Sequence, residues 1–248
     1  MEQTGGIFYH YLAVRNSLRY WRNYQISIES FLTEALNCDK KILVGPSGGY
    51  SLSKSHFLQI QSEDIIAELD PLARLILKSK LGTKVNWVNQ DLFKINEDPI
   101  LSAKLSAEEF NSLNINRVIF CNMLGQLAYQ YSGFTDLYWK LFLLNFLKNL
   151  NAEVYSYHDR WSILSTKAFL DSFETEFIKL SFLQKQIIDI KSLCEKVSNN
   201  SSSSTPVEIL DHATDMDNSL RYKFHAVHPW RRTKNCLHLI HCISLPNL

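Results

Sequence analysis

The chain has 248 residues, 46% of them hydrophobic, with 26 lysines and arginines against 25 acidic residues. That length buries one large core without requiring a second, and the balanced charge leaves no global field to draw the protein onto nucleic acid or an anionic membrane. The start, Met1 to Gly6, shows no secretory pattern, and no stretch offers the roughly 18 apolar residues of a membrane span. Five cysteines stand far apart, at Cys38, Cys121, Cys194, Cys236 and Cys242, without a CxxC pair. A cytoplasmic protein with free thiols and no membrane partner is the expectation.

Tyr9 to Ala35 predicts one or two amphipathic helices, because Leu12, Leu18, Trp21, Ile26, Ile28, Phe31 and Leu32 recur three and four apart. Short apolar runs then alternate with helical patterns. Strands are predicted over 41–44, 64–67, 84–88, 117–121 and 152–157, and helices over 71–80, 99–112 and 134–150. This alternation implies βαβ units around a buried parallel sheet. A long helix is predicted over 165–196, then a polar loop over 198–206 containing four consecutive serines. Two further strand-like runs, 220–228 and 235–244, joined through 229–234, predict a closing antiparallel hairpin. The expected division is an N-terminal helical lid or cap over 1–37 and an α/β domain over 38–248, with a helical and Ser-rich insertion around 162–217.

In an open parallel sheet the ligand lies beyond the carboxyl ends of the strands, beside the first strand. Lys41-Ile42-Leu43-Val44 runs straight into Gly45-Pro46-Ser47-Gly48-Gly49 at that place. Glycines there take positive φ and let backbone N–H groups approach a ligand. The second strand ends at Glu68, a carboxylate placed to hold a ribose diol. Asp70 follows, and because it precedes Pro71 it is read as a helix N-cap. The third strand leads to Asp91, Leu92 and Phe93, an acid to accept from an adenine amino group and apolar side chains to pack on the ring. The signal is the order of strand, glycine turn, strand, acid, strand, acid.

On these residues the stretch Leu43 to Gln126 resembles the class I S-adenosylmethionine-dependent methyltransferases. The resemblance implies an α/β fold with a seven-stranded Rossmann-like sheet, mostly parallel with a C-terminal antiparallel hairpin, plus N-terminal helices. It implies S-adenosylmethionine as cofactor, bound by Gly45, Pro46, Ser47, Gly48, Gly49, Glu68, Asp91, Leu92, Asn122 and Met123, the last two belonging to the fourth-strand tip Cys121-Asn122-Met123-Leu124-Gly125 beside the methyl donor. Two features depart from the family. Val44 stands where it carries an acid before the first glycine, and Pro46 and Ser47 loosen its GxGxG spacing. The fourth-strand tip also lacks the acidic pair of catechol-type metal-dependent enzymes and the Asn-Pro-Pro-Tyr signature of base amino methylation. The implied acceptor is therefore a small molecule or a protein side chain; nucleic acid is not expected in a chain without a basic face. The altered loop supports an alternative, a catalytically inactive methyltransferase-like protein that binds a nucleoside or serves as a scaffold. Aminopropyl transfer would need acids that Cys121-Asn122-Met123 does not supply, and the turn is not the GxGxxG of nicotinamide enzymes.

Tyr157-His158-Asp159-Arg160-Trp161 falls at the expected tip of the fifth strand. His158 is the candidate general base, Asp159 the group that orients its ring, and Arg160 a clamp for a carboxylate or phosphate on the acceptor. Asn122 adds an uncharged donor near the methyl group. Tyr11 and Arg15 are candidate acceptor contacts within an aromatic and basic cluster that includes Tyr9, Tyr20, Trp21 and Arg22. His238 and His241, flanked by Cys236 and Cys242, sit three apart on a predicted strand and so point to opposite faces; no metal site is expected. Oligomeric state is not legible.

Overall fold

The structure, a computed structural model, describes residues 6–82, 85–183, 189–200, 206–212 and 222–246. Three helices open the chain, α1 (Gly6–Ser17), α2 (Arg22–Ser27) and α3 (Glu29–Leu36). They are followed by β1 (Lys41–Val44), α4 (Lys54–Leu58), β2 (Ile65–Ala67), α5 (Pro71–Leu81), β3 (Asn86–Val88), α6 (Pro99–Ser112) and β4 (Arg117–Cys121). After a single 3-10 turn, Leu124–Gln126, come α7 (Leu127–Gln130), α8 (Asp136–Asn149), β5 (Glu153–Leu164), α9 (Lys167–Leu183) and α10 (Ile190–Asn200). The last strands are β6 (Glu208–Asp211), β7 (Lys223–Thr233) and β8 (Cys236–Leu245). The sheet order is β3-β2-β1-β4-β5-β8-β7, with β6 also beside β5. β1 to β5 pair in parallel, whereas β6, β8 and β7 are antiparallel to their neighbours. The expected mostly parallel sheet with its closing hairpin is present, enlarged by β6.

All four residues of β1 are buried, as a central parallel strand covered on both faces requires. Lys41 tolerates this because Asp64 meets it: Nζ lies 2.7 Å from Oδ2 with both side chains out of solvent, and Oδ1 accepts from the Lys41 N–H at 3.1 Å. On one face α6 and α8 supply Phe110, Phe142 and Phe146, which interleave with Phe93 and Phe120 at centroid distances from 5.5 to 6.3 Å. On the other, Tyr24 of α2, Ile28 at the α2–α3 junction, and Leu32 and Leu36 of α3 pack with Leu43, Ile66 and Ile119. α5 and α6 both start from an aspartate ahead of proline, Asp70 and Asp98, whose carboxylates accept from the first free amides.

Most differences from the expected elements lie after β4. The fifth strand runs to Leu164 instead of stopping at residue 157, because β6 takes up the edge that β4 leaves while β8 continues along the other. The helix expected over 165–196 is two helices: Asp189 caps a fresh start, its Oδ1 accepting from the N–H groups of Lys191 and Ser192. Residues 184–188 lie outside the described part. Of the polar loop over 198–206, positions 198–200 finish α10 and 201–205 are likewise outside, as are residue 84 and 220–221 at the starts of two expected strands. The hairpin turns at Lys234 and Asn235, and Pro229 belongs to β7 opposite Leu239. Proline is admissible there because β7 is the edge strand and its outer side needs no donor.

Candidate functional site

Strand order reverses between β1 and β4, and a cleft of about 310 Å³ opens beyond their carboxyl ends. Val44, Gly45, Pro46 and Ser47 form one wall and Glu68 stands behind them, with Asp91 and Leu92 at the far end. Asn122 and Met123 close the β4 side. Opposite lie Tyr157 and Asp159 of β5, Trp230, Arg232 and His238 of the hairpin, and Tyr9, Trp21 and Tyr24 of the first helices.

In the glycine turn, Gly45, Ser47 and Gly49 have φ values of +64°, +53° and +67°. Left-handed residues thus alternate, and Ser47 adopts the conformation of a middle glycine. The spacing that Pro46 and Ser47 were expected to loosen is kept by the backbone. A Cβ on Gly45 would lie 2.3 Å from Met123 Cγ, so that side chain packs on bare main chain. Gly48 and Gly49 shape the turn but are not on the cleft wall; a Cβ on Gly49 would meet Leu77 and Phe57 instead.

Glu68 Oε2 accepts from the Ser47 N–H at 2.7 Å and Oε1 from the Asp70 N–H at 3.0 Å. Burial raises its pKa, with those two N–H groups opposing the shift. Each carboxylate oxygen retains capacity for a further donor. Asp91 is similarly braced, Oδ1 accepting from the Phe93 N–H at 2.9 Å and Oδ2 from the Tyr131 hydroxyl.

Asn122, at φ +59°, turns the chain out of β4. Its side chain then extends the ladder: Oδ1 accepts from the Asp159 N–H at 2.8 Å and Nδ2 donates to Asp159 Oδ2 at 3.2 Å. Between Asp159 and Trp161, β5 bulges against β8. On a regular strand Asp159 and Ser162 would face opposite sides; the extra residue puts both on the side of His238. Asp159 Oδ2 lies 3.0 Å from His238 Nδ1. Ser162 Oγ is 3.2 Å from the same nitrogen and 2.7 Å from His212 Nε2. Burial alone would lower the His238 pKa, but the Asp159 carboxylate overrides it and raises it to about 9. Conversely, burial would raise Asp159, and His238 outweighs it and holds it at about 2. Ligating atoms of Asp159, His212 and His238 all lie within 4.8 Å of one another, the one such grouping among the described residues.

Several expected site residues lie elsewhere. His158 points to the face opposite Asp159, its Nδ1 2.9 Å from Ser156 Oγ, and burial together with His241 lowers its pKa to about 3. Neighbours on a strand cannot share a face, so the His158–Asp159 base pair does not form. Arg160 is buried, ion-paired with Asp211 and stacked over Trp161 with its guanidinium carbon 4.5 Å from the ring centroid, away from the cleft wall. Tyr11 and Arg15 are exposed on the outer side of α1, and it is Tyr9 that faces inward, its hydroxyl 3.5 Å from Ser47 Oγ. His238 and Ser162 were missed as members of one cluster, since only the bulge and the β5–β8 register bring them to Asp159. His241 packs against Trp161 and Phe224 instead.

No protein family profile matches the chain, and no curated protein matches it. Among solved structures the chain is similar to magnesium protoporphyrin IX methyltransferase from Synechocystis PCC 6803 with bound SAH, at 10% identity and TM-score 0.42, over 98% of this chain and 90% of that one. It is similar to the N-methyltransferase NodS from Bradyrhizobium japonicum WM9 in complex with S-adenosyl-l-homocysteine, at 7% identity and TM-score 0.41, over 91% and 87%. A SAM-dependent methyltransferase from Anabaena variabilis aligns at 9% identity and TM-score 0.43, over 98% and 97%. Likenesses this distant add no weight to a functional reading, which rests on the cleft itself.

Proposed function

We propose that the chain is an enzyme that transfers a methyl group from S-adenosylmethionine to a small-molecule or protein side-chain acceptor. The observation that carries this reading is the left-handed alternation of Gly45, Ser47 and Gly49 with the Glu68 carboxylate braced directly behind it at the switch point of the sheet. The residues fit the cofactor. Gly45, having no Cβ, lets Met123 seat against bare main chain at the cleft wall, Glu68 offers two oxygens to a ribose diol, and Asp91 and Leu92 form a wall with an acceptor and an apolar surface for adenine. The cofactor, when bound, supplies an electrophilic methyl group.

The protein's task is then positioning, which supplies much of the acceleration in a displacement of this kind. The acceptor end is walled by aromatic rings: Trp230 meets Trp21 edge-on at 5.0 Å and stacks on Tyr24 at 5.2 Å. His10 ties α1 down over the turn, its ring nitrogens 2.7 Å from the Tyr50 hydroxyl and 3.0 Å from Asp70 Oδ2. This supports a cap over 1–37 on a body over 38–248. Asp159, held by Asn122, supplies the polar side of the acceptor wall. Among the described residues no helix is long and apolar enough to cross a membrane; with five free cysteines, we place the protein in the cytoplasm.

Calorimetric titration of the intact chain with S-adenosylmethionine and S-adenosylhomocysteine tests the reading. Saturable binding is expected, weakened at least about tenfold in Glu68→Ala by loss of a charge-assisted hydrogen bond. A folded protein that binds neither compound overturns it.

A further inference from the structure

We propose that Asp159, His212 and His238 hold one divalent first-row transition-metal cation in the wall of the cleft. Two imidazole nitrogens and one carboxylate oxygen are a donor set such cations take, and the ligating atoms span no more than 4.8 Å. Asp159 Oδ2 and His238 Nδ1 are already 3.0 Å apart, the spacing of adjacent donors around an ion with bonds of about 2.0–2.2 Å.

The backbone builds the site from three separate strands. Asp159 is aimed by the bulge and held by the Asn122 side chain. His212 follows directly on β6, and its N–H donates to the Arg160 carbonyl at 3.1 Å. Ser162 Oγ, within hydrogen-bonding reach of both imidazoles, offers a fourth donor. On binding, the cation replaces the proton that His238 shares with Asp159, and that proton passes to solvent. Because Asp159 and His238 line the cleft, the cation faces the acceptor side and would favour acceptors that offer an oxygen donor. The proposal stands apart from methyl transfer, since it concerns binding by the chain alone.

The test uses the intact chain without cofactor or acceptor. Equilibrium dialysis against zinc or manganese chloride followed by elemental analysis, and titration with cobalt(II) followed by visible absorption, are expected to show one equivalent bound and a cobalt d–d band. Both should vanish in His212→Gln and persist in His241→Gln, with thermal melts showing that each variant is folded. If His212→Gln does not fold, Asp159→Asn takes its place. No stoichiometric metal on the folded intact chain, or binding unchanged in folded His212→Gln or Asp159→Asn, overturns the site. An intact chain that binds S-adenosylmethionine but takes up no metal would sink this inference and leave the methyl-transfer reading standing.

Discussion

Gly45 and Ser47 share a left-handed backbone but should respond oppositely to substitution. In Gly45→Ala the new Cβ meets Met123 at 2.3 Å on a backbone at φ +64°, so a loss of about 1–2 kcal/mol is expected from conformation alone, more from displacing Met123. Urea unfolding reads the first effect and cofactor calorimetry the second, as lost affinity. Ser47→Gly relieves the same conformational cost and gives up only a long contact with Tyr9. Its stability is expected to match or exceed the parent by up to about 1 kcal/mol, with binding retained; a marked loss would mean that the hydroxyl matters more than the backbone. Glu68 adds a pH dependence. Since burial raises its pKa, acidification neutralises it above the ordinary carboxylate range and removes an acceptor from the cleft. Cofactor affinity should therefore fall as pH is lowered, and Glu68→Gln should be weak throughout and flat over the same interval.

The junction of β1 and β2 depends on the Lys41–Asp64 pair, both members of which are shielded from water. Asp64→Ala strands the ammonium group, and a loss of about 3–5 kcal/mol is expected in denaturant unfolding. Replacing both by apolar residues should recover most of it. The same elements show which parts of the molecule can be read from the chain alone. Gly45, Glu68 and Asp91 are legible because each follows within a few residues of a strand end, so local order places them at the cleft. Asp159 is legible as a polar residue on the fifth strand, but its partners are not. A reading that ends the strand at Tyr157 gives His158 and Asp159 to a shared tip, whereas β6 and β8 prolong the ladder and alternation separates them. Likewise Tyr9 and Tyr11 belong to one aromatic cluster, and only the packing of α1 on the turn decides which of them faces in.

Across the whole molecule, acid stability should be governed largely by buried and half-buried histidines. Burial lowers the pKa of His228 to about 4, and burial with Arg160 nearby does the same for His241. Unfolded, each binds a proton near the ordinary value of about 6.5. Below that pH the unfolded chain takes up protons that the folded one refuses, so stability declines from about pH 6.5 towards pH 4. Urea midpoints measured between pH 7 and pH 4 should fall accordingly, and His228→Gln with His241→Gln should reduce the slope to the part that His158 contributes. A parent protein with no slope over this range would contradict the assignment.

The extra residue between Asp159 and Trp161 also makes the cleft a matter of chain length. Ile163 now packs with Phe173, Phe177 and Leu237 behind the sheet while Ser162 reaches His238 in front. Deleting Arg160 would restore simple alternation without turning the strand over, since Asp159, Trp161 and Ser162 would still stand opposite Ile240, Leu239 and His238; what would go is the carbonyl that holds the His212 N–H and the guanidinium that pairs with Asp211. Such a chain would keep the face of the strand and lose its tie to β6. The one residue in excess of the ladder is therefore the joint by which the front of this sheet holds the segment that carries His212.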